Sequence, residues 1–418
     1  MNFPGHIAVV NVYYAPYSYG GATIVAEEVA QQLALAHGCQ ITAISTMTRT
    51  DLAPYTVMRV EKRGIQNYLI NLPPVRDYVE IYANPRVDAL VAQVLNQVQP
   101  DLVHAHCLQD IGSGVISVAK EMGLPVVLSM HDFWWLCERQ FMIRPNHHYC
   151  AQDPIRIEGC RGCIDNFERA KTRFDVLQAH AAKADLITFP SRFAHDLAVR
   201  SGLSAPHLAI WENGVRLPDP DFFKTQAARR ARDKQLVFGF VGGPSQIKGW
   251  PLVKSAFQSL GRDDFTGLLV EGSLDGSWWR GHDLSKLQGD WSTHPRFSQD
   301  KMDDFYARID VLLFLSQWKE TFGLTIREAV ARGIRVIQTD SGGTTEWDGA
   351  DMGKMLPIGA GVDVLQARIT EMLDTPHAHP APRQVASFAD QAAGFLDLVA
   401  SLPQPAYTGA QAMEHGTP

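Results

Sequence analysis

Two glutamates with seven residues between them stand in the segment SQWKETFGLTIREAVARGIRVIQTDSGGTTEW. Glu320 precedes, and Glu328 lies inside, a helix that the apolar spacing predicts over residues 323–332. The first turn of a helix leaves backbone N–H groups unpaired at the positive end of its dipole, which suits a diphosphate. A carboxylate one or two turns further on can accept hydrogen bonds from a vicinal ribose diol. One on the preceding loop can contact a sugar. Spacing alone also fits a surface helix with two scattered glutamates. Thr321, Phe322, Gly323 and Leu324, the Glu328-Ala329 pair and the later Gly342-Gly343 turn argue against that plainer reading.

Three further clusters carry chemistry. FGFVGGPSQIKGW holds Gly242 and Gly243, which let a backbone pass close to phosphate, and Lys248, which can meet the charge of a leaving diphosphate. PYSYGGATIVAEEVAQQL opens a helix at Gly20 and Gly21 but is not the G-x-G-x-x-G fingerprint of dinucleotide binding. Its spacing fits a plain turn as well as a phosphate or acceptor approach. Tyr13, Tyr14, Tyr17 and Tyr19 around it suit stacking on a sugar ring or simple packing. In SMHDFWWLC, His131 stands at the carboxyl end of a strand, where parallel sheets gather ligands. His104 and His106 end another strand and read as cleft wall. Asp132 reads as a helix cap.

The Glu320 segment resembles the signature of the family 4 glycosyltransferases, which retain anomeric configuration and have the GT-B fold. The likeness runs from about residue 7 to residue 400. It implies that Glu320 contacts a donor sugar, that Glu328 contacts the ribose, and that the backbone of Thr321 to Leu324 holds the diphosphate or sugar hydroxyls. It places the Gly20-Gly21 loop beside the acceptor and His131 near the reacting carbon. His131, Lys248 and Glu320 are then the catalytic group. The family carries Gly-Arg ahead of Lys-Gly. Here Lys248 and Gly249 match, but the arginine position is Gly243, so half of that diphosphate clamp is missing. The resemblance implies same-face attack, with the departing phosphate taking the acceptor's proton. Catalysis is then mostly positioning and charge stabilisation, supplied by Lys248 and the helix start. No Asp-x-Asp string sits at a cleft position, so neither a metal nor another cofactor is expected in the reaction. The implied partners are a nucleotide-diphosphate-sugar donor and a saccharide or lipid-linked acceptor of polysaccharide or glycolipid assembly. Two rivals stand beside this reading: an inactive sugar-nucleotide or glycan binder of the same fold, and a sugar-nucleotide epimerase.

Cys137, Cys150, Cys160 and Cys163 crowd one segment, with twelve, nine and two residues between successive members. Four thiolates on a short loop fit a structural zinc knuckle, with His147 and His148 as spare ligands. Reduced thiols or a disulfide are the alternatives. The insert follows His131, and its Phe133, Trp134, Trp135 and Phe141 are placed to face acceptor or lipid at the cleft rim.

The elements that must position these residues read as strands alternating with helices, hence parallel sheets covered on both faces. Strands are predicted at 7–14, 40–45, 101–104, 126–129 and 186–189, and again at 236–241, 268–271, 311–315 and 335–339. Helices are predicted at 23–37, ended by Gly38, after Ser191, and at 387–402. The fold class is α/β: two doubly wound, Rossmann-like domains facing across a deep cleft. Residues 1–212 form the acceptor-side domain, with the cysteine-rich insert at 133–165. Residues 213–386 form the donor domain, 387–402 a helix free to pack back on the first domain, and 403–418 a mobile tail. Residues 206–221 read as an interdomain hinge. The basic run Arg229, Arg230, Arg232 and Lys234 reads as a solvated helix face.

Composition agrees. The 418 residues are too many for one ordinary core. A formal charge of −7 disfavours nucleic acid as a partner. No stretch reaches membrane-span length, and the start has no basic region followed by an apolar core, so a cytoplasmic protein is expected, at most peripheral to the membrane's inner face.

Overall fold

Short runs of β-branched and apolar residues build two sheets. The computed structural model describes residues 4–402 apart from Leu274; the tail from residue 403 on lies outside the described residues. The first sheet holds β1 (His6–Val10), β2 (Gln40–Met47), β3 (Val57–Lys62), β4 (Ile65–Asn71), β5 (Leu102–Ala105), β6 (Val126–Ser129), β7 (Leu186–Phe189) and β8 (His207–Ile210). Their order is β3-β4-β2-β1-β5-β6-β7-β8. All neighbours are parallel except β3 and β4, which form a hairpin through Arg63 and Gly64. Helices α1 (Gly21–His37), α2 (Pro85–Val98), α3 (Gly114–Glu121), α4 (Phe167–Ala181) and α5 (Arg192–Arg200) complete this half. The central strands β1, β5, β6 and β7 are buried at every position, as strands covered on both faces must be.

The second half contains α6 (Phe222–Arg232), β9 (Leu236–Phe240), α7 (Trp250–Gln258), β10 (Phe265–Val270), β11 (Asp290–His294), α8 (Met302–Tyr306), β12 (Val311–Phe314), α9 (Leu324–Val330), β13 (Arg335–Gln338), α10 (Val362–Asp374) and α11 (Phe388–Ala400). Its five strands are all parallel, in the order β11-β10-β9-β12-β13. The architecture is therefore two Rossmann-like α/β domains with parallel sheets.

The expected hinge at 206–221 is partly a strand. His207–Ile210 is β8, the edge of the first sheet. The chain then crosses, and it crosses again beside itself near residue 387, where Val215 bridges Ser387. The crossing is tied by Trp211 Nε1 donating to Gln391 O at 2.9 Å and Gly214 N–H donating to Gln391 Oε1 at 2.7 Å. After it, α11 lies on the N-terminal domain: Phe388, Ala392, Phe395 and Leu396 share one apolar cluster with Val25, Val29 and Leu33 of α1. The basic run divides: Arg232 and Lys234 are exposed as expected, but Arg229 and Arg230 are not. Arg229 is buried and grips Asp310 through both oxygens at 2.7 and 2.8 Å, and Arg230 adds a third bond at 3.0 Å. A buried carboxylate demands such pairing, and it fixes α6 to the start of β12. Among the described residues no helix is long and apolar enough to cross a membrane.

Candidate active site

Glu320 lies on the loop between β12 and α9, with its backbone held on both sides. Its N–H donates to Ser341 O at 2.8 Å and its carbonyl accepts from Gly343 N–H at 2.9 Å. Its Oε1 accepts from Lys248 Nζ at 2.8 Å and from the Ser316 hydroxyl. Lys248 comes from the turn between β9 and α7, so two motifs far apart in sequence meet at one ion pair. The Lys248 ammonium also lies 5.9 Å from the Phe314 ring centre and 5.8 Å from that of Trp318. The Lys248 side chain is 33% exposed and that of Glu320 13%, so a ligand can reach the pair.

Gly243 explains the missing arginine sterically. Its φ of 62° is left-handed, and a Cβ there would lie 2.8 Å from the Trp278 ring. The indole occupies the start of the path a side chain at 243 would take. Lys248 is left as the cation of this turn.

Glu328 does not join the Lys248–Glu320 pair. It stands in the second turn of α9, half-buried, and accepts from the Tyr306 hydroxyl at 2.7 Å. Burial pushes its carboxyl up, while the Tyr306 bond and the Arg332 charge act the other way. α9 is shorter than the helix expected over 323–332, running Leu324–Val330. The segment before it is rigid. Phe322 is buried beneath the Arg327 guanidinium, 4.1 Å from its ring centre, and Arg327 donates to the carbonyls of Phe322, Gly343 and Glu346 at 2.5, 2.9 and 2.7 Å.

Both domains contribute. Thr321 Oγ1 donates to the His131 carbonyl at 2.6 Å. A Cβ on Gly21, at the start of α1, would come within 3.3 Å of Leu324 Cδ1, so the Gly20-Gly21 loop faces the start of α9. Glu346 reaches across and accepts from the Arg192 and Phe193 N–H groups at 2.8 and 2.7 Å, capping α5 alongside its own Ser191.

His131 is one of three linked histidines. His106 Nδ1 meets His131 Nε2 at 2.9 Å, and His104 stacks on Phe395 and bonds Ser129 Oγ at 2.8 Å. Burial holds His131 down to about 4, His104 down to about 3 and His106 well below the usual range. All three are neutral at pH 7, so one ring donates and the other accepts in the His106–His131 bond. Asp132 caps no helix. It accepts from Trp134 N–H, Gln109 and Gln140 at 2.8, 3.0 and 2.7 Å and so ties the turn after β6.

Three of the four aromatics after His131 face neither acceptor nor lipid. Phe133, Trp134 and Trp135 are core residues, and only Phe141 reaches the surface, its ring edge-on to Trp318 at 5.1 Å. Of the four tyrosines near Gly20, Tyr14 is buried and Tyr13, Tyr17 and Tyr19 are exposed. Cys137, Cys150, Cys160 and Cys163 are free and line one small cavity, though among the described residues no three His, Cys, Asp or Glu side chains are gathered closely enough to hold a metal as they stand.

Sequence reasoning missed Ser316, Trp318 and Glu346, although all three lie inside the Glu320 segment. Trp318 and Glu346 act on partners distant in sequence, and Ser316 reaches Glu320, four residues on, only through the bend of the loop. Trp278 and Tyr306 lie outside every motif and have no local signal.

Known proteins share this frame. Residues 19–218 match the family Glycosyltransferase Family 4, and residues 221–384 match Glycosyl transferases group 1. An uncharacterized 42.6 kDa protein in the cps region of Klebsiella pneumoniae is 23% identical over 82% of this chain and 87% of its own. A D-inositol 3-phosphate glycosyltransferase from Nocardiopsis dassonvillei is 22% identical over 89% of this chain and 87% of its own. Among solved structures, sucrose-phosphate synthase from Thermosynechococcus elongatus superposes with a TM-score of 0.64 at 16% identity, covering 94% of both chains. Anabaena HepE, solved with UDP and glucose, superposes with a TM-score of 0.59 at 16% identity and the same coverage. With two family matches taking in residues 19–384 apart from 219 and 220, and a fold shared with these structures, the chain is placed among the GT-B glycosyltransferases of family 4 and group 1.

Proposed function

We propose that the protein transfers a sugar, with retention, from a nucleotide-diphosphate-sugar to a saccharide or lipid-linked acceptor. The observation that carries this reading is the reachable Lys248–Glu320 pair at the domain seam, beside His131. HepE was solved with UDP and with UDP-glucose, which supports the donor class. A relative in a cps region and a sulfoquinovosyl transferase from Arabidopsis thaliana support polysaccharide or glycolipid assembly as the setting.

In this mechanism Lys248 turns from Glu320 to the diphosphate, and Glu320 is freed to hold the donor sugar's hydroxyls. The bond between the anomeric carbon and the phosphate oxygen breaks, and the acceptor oxygen bonds that carbon from the same face. The acceptor's proton passes to the departing phosphate. The chain's contribution is positioning and a fixed cation where negative charge grows. Neutral His131 offers hydrogen bonding to the sugar without a competing charge.

The test is release of nucleoside diphosphate from a panel of UDP-, GDP- and dTDP-sugars, with and without saccharide and lipid acceptors. One donor should turn over, faster with acceptor, and Lys248→Ala or Glu320→Ala should lower kcat by about 10²–10³. One observation favours a second reading, a donor-binding protein without turnover: Trp278 excludes the second cation of the clamp. Binding of a donor with no release from any would select it.

A further inference from the structure

The segment between Cys137 and α4 holds no helix or strand beyond one 3₁₀ turn, Ile157–Cys160, and an isolated bridge between Ile143 and Tyr149. Structureless stretches of this length inside a domain need some other staple. Hydrophobic burial anchors only part of this segment: Met142, Ile143 and Ile155 reach the main core, while around Cys160 only Ile157 and Ala170 join a separate small cluster. The same segment brings four cysteines, from three stretches of chain, to one cavity.

That cavity has a volume of about 10 Å³ and is lined by Cys137, Cys150, Cys160 and Cys163, with Met142 and Ile155 on its wall. It has room for roughly one water-sized sphere, but thiols and apolar groups give water too few strong partners to stay. A tetrahedral zinc ion with four sulfurs at about 2.3 Å suits such a lining. The C-x-x-C end is folded into a turn, with Cys163 N–H donating to Cys160 O at 2.8 Å. Arg139 lines the cavity and Arg144 donates to the Cys150 carbonyl at 3.3 Å, so two cations stand near the surplus negative charge of four thiolates. His147 and His148 sit on the exposed turn, outside the cavity lining.

We propose that Cys137, Cys150, Cys160 and Cys163 bind one structural zinc ion that fixes the insert and so holds Phe141 against Trp318. Around the cavity the four sulfurs stand apart from one another; binding turns each thiol about its χ1 toward the centre and displaces its proton. The ion takes no part in the transfer, so this inference stands or falls apart from the proposed function.

The experiment is metal analysis of full-length protein purified without a metal-affinity step and passed over chelating resin. The expected result is about one zinc per chain, four thiols that react with a thiol reagent only after strong chelation, and a lower Tm after metal removal. Cys160→Ser/Cys163→Ser should lose the metal, and Cys39→Ser/Cys107→Ser should keep it. If the first pair fails to fold, chelation of the unaltered protein decides. Folded protein with no zinc from zinc-supplied cells, disulfides among the four, or metal lost from the Cys39/Cys107 control would each overturn the proposal.

Discussion

At the scale of single residues, Glu328 is the clearest case of a side chain with two obligations. It accepts the Tyr306 hydroxyl in the structure, and the proposed function adds a ribose diol. The two can be separated. Glu328→Gln keeps an oxygen for Tyr306 but gives up the charge, whereas Glu328→Ala also leaves the buried phenol only its longer, 3.3 Å bond to Thr325 O. Nucleoside diphosphate affinity should fall about tenfold or more in both variants, as for a lost bond to a charged group, while the alanine variant alone should lose marked stability. Calorimetric titration beside thermal melts checks this, and unchanged affinity in both removes Glu328 from the donor site. Residue types with local signatures were legible in the sequence: Glu320, Lys248 and the two glycine pairs. What Glu328 bonds, and what fills the space at Gly243, was not, because Tyr306 and Trp278 arrive from elements with no sequence link to those motifs.

At the scale of elements, α5 depends on both domains. Its N-terminus belongs to the first domain, yet two of its free N–H groups are satisfied by Glu346 of the second. A carboxylate at that position is favoured by unpaired donors and by dipole alike. Glu346→Ala should cost about 1 kcal/mol and widen the unliganded molecule in small-angle scattering. A scattering profile identical to that of the unaltered protein would show that the contact does not hold the domains together. The sequence conveyed β6 and β7 to the residue, because interior parallel strands are short apolar runs between polar turns. It did not convey β3, the outer strand of the hairpin, or β11, since edge strands are part polar and half exposed and so resemble loops. β8 hid among prolines and polar residues for the same reason.

At the scale of the whole molecule, the three linked histidines lie where the first sheet meets α11, through His104 on Phe395. All three titrate lower in the folded chain than in the unfolded one, where the usual value is 6.5. The unfolded chain therefore binds more protons below pH 6.5, and the stability these groups allow, present above that pH, is lost as pH falls toward about 4. Burial pushes Glu328 and Asp132 up, which opposes this trend. Denaturation midpoints should drop between pH 6.5 and 4.5, with a shallower slope in His106→Asn; equal slopes would mean that the cluster does not govern acid stability.

The position of α11 also orders events in time. The apolar face of α1 is made within the first forty residues, but the helix that shares its cluster with α1 is the last described one in the chain. A ribosome adding about 5–20 residues per second therefore leaves the part of the α1 surface that α11 covers open for tens of seconds, although β1 and β2 already pack on the rest. Throughout that interval the nascent N-terminal half carries an apolar strip whose cover is made last among the described elements.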